Sequence, residues 1–387
     1  MVACGSSDKS SDTATSAAGA TKDANAPITV KVGLAGPKTG PVPAYWKELS
    51  QSFALGEQDF GKEFNIKFDV VDADTQASPE IASQQVQKLL NQDNVDVLFG
   101  PALSGEDLQV ADIVQRSGRP WMVPIAADDA ILNMKIQPNW GFRTNNSNNQ
   151  ALAVTGASLY ADNATVGIVY SADAYGQSSL KALQDYAKKN GKTVAASEAI
   201  TPGATDMTAA VKKLQSANVN SVYIAVTAGA DIATLTRSMV REKYDPPKQF
   251  ATATILTDFR ELASPKEWAK IRFVEPRDLT GPTITKLIAD YKKLNGSDPV
   301  LTATSFAVYT SVKLYAQAVR AAGTATDYEK VRKAIEDTKT LDVDGMVFDH
   351  PYSPTDHETY DSDPAKWYLL GFDEKGNIKS FGKVTGS

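Results

Sequence analysis

Cysteine is nearly absent from this chain of 387 residues: there is one, Cys4. An intramolecular disulfide framework is therefore excluded, and the fold must rest on a hydrophobic core. Histidine is almost as scarce, with only His350 and His357. A Ser-His-Asp or Cys-His relay would have to be built from that pair, and no nucleophile-elbow motif accompanies it. No enzymatic activity is expected. No apolar run approaches the roughly 20 residues of a membrane span. Long basic runs are missing too and the formal net charge is −6, so neither nucleic acid nor an anionic membrane surface is an expected partner.

What is present is length and an ordinary balance of residues. A chain of 387 residues exceeds what one core usually holds, so two lobes are expected. The start, Met1-Val2-Ala3-Cys4-Gly5-Ser6-Ser7, resembles the tail of a bacterial lipobox, where small residues precede a cysteine that becomes lipidated. Residues 5–26 carry no aromatic or large aliphatic side chain, and such a stretch cannot offset its ordering entropy by burial. The expectation is a lipid anchor at Cys4 and a tether over 1–27. The protein would then sit in the periplasm or at the cell surface.

From residue 28 short apolar runs alternate with helix-length amphipathic runs, the pattern of βαβ units around a parallel sheet. Ile28–Leu34, Ile66–Val71, Val95–Phe99 and Trp121–Pro124 read as strands, with helices over 46–61, 79–92 and 105–117. Ser78, Pro79 and Glu80 form a helix start. A second series has strands at Val166–Tyr170, Thr193–Ala196, Ser221–Val226 and Gln249–Ala253. Its helices fall near 147–161, 175–190, 206–217 and 229–243. Helices return at about 283–294, 299–322 and 327–338, the middle one apolar around most of its circumference and so buried. The tail reads as strands, with a hairpin across 373–377. The predicted fold is α/β, with two Rossmann-like lobes around parallel sheets and a cleft between them. Lobe one takes 28–143 with 280–342, and lobe two 145–277 with 343–387.

Three chemical motifs fail on spacing. Gly191-Lys192-Thr193 lacks the glycine a phosphate loop needs five residues earlier, where Tyr186 stands. Gly33 to Gly40 follows a strand but is not GxGxxG, and Pro37 would disturb the turn. Asp349, His350, Asp356, His357, Glu358, Asp361 and Asp363 match neither a helical zinc motif nor a calcium loop, and read as a solvated acidic loop. No cofactor or metal is expected.

Four segments, in order, resemble the branched-chain amino-acid-binding protein family, the leucine/isoleucine/valine receptors of ABC importers with the type I periplasmic binding fold. They are Val30–Pro41, Leu98–Ser104, Gly141–Thr144 and Val166–Tyr170 with Ala174-Tyr175-Gly176. The resemblance runs from about residue 28 to the end.

The resemblance implies a ligand site between the lobes. Ser104 matches the family's serine that holds the ligand carboxylate, and it opens a helix, whose N-terminus favours an anion. Ala126-Ala127-Asp128 matches a loop supplying further polar contacts, although the hydroxyl common there is missing. Tyr175 matches the second lobe's tyrosine that closes over the ligand, and Thr227 a further lid residue. Tyr45 and Trp46 either pack on the ligand side chain or staple a helix start. Where amino-acid binders place an acid for the α-ammonium, this chain has Thr254, with Asp258 the nearest acid. An ammonium buried without a carboxylate costs several kcal/mol. Either Asp128, Asp129 or Asp258 supplies the charge, or the ligand is not an α-amino acid.

The function so implied is capture of an amino acid or related small organic acid by hinge closure. A monomer would deliver it to the membrane permease of an ABC transporter. Ligands without the ammonium (an aromatic or aliphatic carboxylate, an amide) remain open at this level, as does presentation to a membrane receptor.

Overall fold

The computed structural model describes Met1, residues 26–252 and residues 256–384. Cys4, most of the tether and Thr254 lie outside the described residues, as does the side chain of Asp258.

The first apolar runs pair into one sheet: β1 (Ile28–Gly36), β2 (Ile66–Asp74), β3 (Val97–Phe99), β4 (Trp121–Val123) and β5 (Gly141–Arg143). Their order is β2-β1-β3-β4-β5 and every pairing is parallel. Parallel strands are covered on both faces, which is why Val30, Val32, Leu98, Phe99 and Trp121 are all fully buried. The covering helices are α1 (Pro43–Glu63), α2 (Pro79–Asn91) and α3 (Ser104–Ser117). The expected start of α2 is real: Ser78 Oγ accepts from Ile81 N at 3.3 Å.

After α4 (Asn148–Tyr160) a second sheet forms from β6 (Val166–Ser171), β7 (Ala196–Ile200), β8 (Ser221–Ala225), β9 (Lys248–Ala251) and β10 (Ile271–Glu275). Between these strands run α5 (Ala174–Lys189), α6 (Thr208–Ser216), α7 (Gly229–Arg241), α8 (Leu256–Leu262) and α9 (Pro265–Trp268). The chain then returns to the first sheet with α10 (Pro282–Asn295), α11 (Thr302–Ala322) and α12 (Tyr328–Glu336). Buried nearly all round as expected, α11 packs along α1. A hairpin of β11 (Thr340–Val343) and β12 (Met346–Asp349) follows, then β13 (Tyr368–Phe372), antiparallel to β10 in the second sheet, and β14 (Ile378–Lys383), antiparallel to β13 at its edge. Among the described residues no helix is long and apolar enough to cross a membrane.

Three sequence expectations need correction, and one strand was not foreseen. The strand expected at Thr193–Ala196 starts later, at Ala196, because 192–195 is spent leaving α5 and only Ala196 onward pairs with β6. The stretch before 276 holds a complete strand, β10, whose run of five residues is short enough to be missed. The β11–β12 turn is held by the first group of helices, with Thr283 Oγ1 donating to Asp344 O at 2.9 Å, so a boundary at 342–343 falls inside the hairpin. Finally, the tail loop is not uniformly solvated. His350 is exposed, but His357 is fully buried, stacked on Phe142 at 4.0 Å, with Nδ1 donating to Gly141 O at 2.7 Å.

Candidate functional site

In each sheet one strand has neighbours that lead away in opposite directions: β1 lies between β2 and β3, and β6 between β7 and β8. Loops leaving the carboxyl ends of such strands diverge and open a crevice. Here the crevices of the two sheets face each other and enclose a cavity of about 650 Å³. Its walls come from the loops and first helical turns after β1, β3 and β4 on one side. After β6, β8 and β9 they come from the other side.

Two glycines make the walls possible. Gly100 sits at φ +79, and a Cβ there would stand 2.3 Å from Ala35 O. Only glycine lets β3 turn so sharply beside β1 and bring Ser104 to the start of α3. Gly176 approaches β6 so closely that a Cβ would lie 2.0 Å from Ser171 O, which seats α5 against the strand. Asp173 caps that helix by accepting from Gly176 N at 2.9 Å.

Of the residues expected in the site, Tyr45, Ser104, Ala126, Ala127, Tyr175 and Thr227 line the cavity. Tyr45 reaches across it, its hydroxyl donating to Thr227 O at 3.0 Å. Tyr175 is so enclosed that its phenol pKa is pushed up to about 12 by burial. Three expected residues lie elsewhere. Trp46 packs on β1 beside Gly36, with Lys38 Nζ 5.0 Å above its ring, so it is the staple of the two alternatives. Asp128 turns its carboxylate to Ala130 N at 2.9 Å and does not line the cavity. Asp129 accepts from Asn149 N at 3.1 Å, at the start of α4.

The acids that do line the cavity are Glu106, Asp173 and Asp231. Among the described residues no Lys, Arg or His joins them. Glu106, in the first turn of α3, is 1% exposed and neither carboxylate oxygen has a hydrogen-bond partner. Burial pushes its pKa up to about 7, opposed by Thr75 and the Ala102–Leu103 backbone, none of which reaches hydrogen-bond geometry. Asp231, in the first turn of α7, accepts from Gly203 N at 2.9 Å with one oxygen, while its other oxygen is buried and unpartnered. Burial also raises its pKa, and the negative charge of Asp173 adds to the rise. Asn145, Asn146 and Asn148 complete the polar lining.

Three segments cross between the sheets: 144–147, 276–281 and 350–367. They are stapled together. Thr359 Oγ1 donates to Arg143 O at 2.7 Å, and Arg277 Nη2 donates to Asn145 Oδ1 at 3.1 Å. Arg277 also pairs with Glu275 and donates to Ala303 O at 2.8 Å, both groups fully buried in the ion pair. A bundle of three short crossings can bend while each flanking sheet stays rigid.

Two α/β units, facing switch points and a lined cavity beside three crossings are the architecture of a two-lobed solute-binding protein. A family model described as periplasmic binding protein matches residues 29–376, and the chain belongs to that family. It is 25% identical over 332 residues to the Leu/Ile/Val-binding protein BraC3 of Rhizobium johnstonii, covering 82% of this chain and 86% of that protein. It is likewise 25% identical over 363 residues to the leucine-, isoleucine-, valine-, threonine-, and alanine-binding protein of Pseudomonas aeruginosa, covering 91% and 88%. Its structure is similar to a periplasmic binding protein type 1 from Bordetella pertussis Tohama I, with TM-score 0.79, 25% identity and coverage of 92% and 100%. The fold is thus the expected type I periplasmic binding fold.

Proposed function

We propose that this chain is the extracytoplasmic receptor of an ABC importer and captures an amino acid or related amine-bearing solute in its cleft. The observation that carries the reading is the cavity of about 650 Å³, walled from both sheets and furnished with Ser104 at a helix start and carboxylates unmatched by any basic side chain among the described residues. The start of α3 suits a ligand carboxylate, and the acids suit an ammonium. A solute with only a carboxylate would add negative charge beside Glu106 and leave the acids unpaired.

Ligand contacts to both walls select the closed arrangement, and that arrangement docks on the permease. The two lobes of this reading are 28–143 with 280–349, which keeps the β11–β12 hairpin whole, and 145–277 with the remaining tail. Lipidation of Cys4 would hold the body at the membrane face, and the receptor would work as a monomer without enzymatic turnover. Titration calorimetry against the common amino acids, benzoate and simple amides tests the central claim. Saturable binding of an amine-bearing solute is expected. Binding of carboxylates or amides alone would overturn it.

A further inference from the structure

The acids of the cleft outnumber what a neutral amino acid brings. A zwitterion with an apolar side chain offers one cationic nitrogen. The cavity presents carboxylates on opposing walls: Glu106 from α3 of the first unit, Asp231 and Asp173 from the second. Glu106 and Asp231 are each 1% exposed, and three carboxylate oxygens between them lack any hydrogen-bond partner. Neither residue takes part in an ion pair with a basic side chain of the described residues. Away from the cavity, Glu275 is matched by Arg277 and Glu336 by Arg332, while Asp107, next to Glu106 on α3, is buried without a hydrogen-bond partner and does not line the cavity. Glu106 and Asp231 are thus the buried acids with unpartnered oxygens that line the cavity among the described residues.

We propose that this cleft selects a solute with two cationic nitrogens, a basic amino acid or a diamine, one nitrogen pairing with Glu106 and the other with Asp231 beside Asp173; this rests on the receptor reading above. The solute supplies the countercharges that the protein withholds. Charge is then what pulls the walls together, since each cation-carboxylate pair forms fully only when both lobes enclose the solute. The raised pKa of both groups follows from the same geometry, because burial without a partner penalises the charged form until a cation arrives. Ser104 and the start of α3 stay available for a carboxylate, which separates the two kinds of solute.

The test is calorimetry on the full chain with leucine, lysine and cadaverine. Lysine or cadaverine should bind about tenfold or more tightly than leucine. Lysine the tighter of the two assigns a basic amino acid, and cadaverine the tighter assigns a diamine. Glu106→Gln and Asp231→Asn should each weaken the dicationic solutes by about ten- to hundredfold, and leucine far less. The unliganded Glu106→Gln variant should melt at or above wild type, because it loses an unmatched buried charge. Should that variant fail to fold, Asp231→Asn carries the same comparison. Leucine binding as tightly as both dicationic solutes overturns the proposal and leaves the receptor reading standing. Binding of no amine-bearing solute overturns both.

Discussion

The hydroxyl of Tyr45, from the first turn of α1, donates to the carbonyl of Thr227 at the end of β8 across a span of 182 residues in sequence. This bond joins the two walls of the cleft directly. Tyr45→Phe removes the hydroxyl and keeps the ring. One neutral hydrogen bond contributes about 1 kcal/mol net, so ligand affinity should fall roughly fivefold. Thermal melting of the unliganded protein should not change. An unchanged affinity by calorimetry would mean that the latch does not contribute to closure.

Gly105, in the first turn of α3, faces the start of α5 on the other unit. A Cβ there would lie 3.7 Å from Ala174 Cβ on α5 and 3.6 Å from Pro79 Cγ, ordinary contact that leaves room for nothing larger. Gly105→Ala should bind normally. Gly105→Trp should hold the lobes apart, abolish ligand binding and raise the radius of gyration in small-angle scattering. A compact, fully binding tryptophan variant would falsify this account of closure.

Ser104 and Tyr175 come from opposite units and both line the cavity. A hydrogen bond to a charged ligand group is worth about 1.5–3 kcal/mol. Ser104→Ala and Tyr175→Phe should each weaken the bound solute about ten- to hundredfold while folding normally by circular dichroism. Wild-type affinity in both variants would place the solute elsewhere in the cavity.

His357 is buried between Phe142 and Glu336, and burial holds its imidazole at a pKa of about 4. As pH falls through about 6.5 the unfolded chain takes up a proton that the folded one refuses until about pH 4. Stability is therefore lost across that window, by an amount on the order of 3 kcal/mol from this group. Glu106 acts with the opposite sign. Its folded pKa of about 7 makes stability fall as pH rises from about 4.5 towards 7. The informative quantity is thus the difference between proteins. Urea midpoints of His357→Gln should drop less than wild type between pH 6.5 and 4, and parallel curves would show that the imidazole does not titrate with folding.

The periodicity of the chain announced most of the architecture. Strands such as Val166–Ser171 are continuous apolar runs, and helices such as α2 carry their own start signals, so neither needed tertiary information. Ser104, Tyr175 and Thr227 were legible because family motifs hold them next to strand ends, which is where α/β crevices open. Glu106 and Asp231 were not. An acid in the first turn of a helix is what the macrodipole favours anywhere, so sequence offers no sign that these two face a cavity unpaired. Trp46 failed in the other direction: its neighbour Tyr45 turns inward to the cleft, and a single residue's rotation along α1 sends the indole to β1 instead. His357 was hidden by its acidic neighbours: Asp356 is exposed, but Glu358 turns to the buried Arg143 and the imidazole points inward to Phe142.

The staple at the three crossings has a consequence for ancestry. Arg143, Thr359 and the Glu275–Arg277 pair tie the crossing segments to one another, whereas Glu106 and Asp231 sit on first helical turns that end at the cavity. Bending and taste are therefore separately heritable. On the reading proposed above, substitutions at such loop and helix-start positions would re-aim the diet of a lineage without touching the crossings. The crossings would then pass down intact, one inherited chassis serving receptors for unlike nutrients.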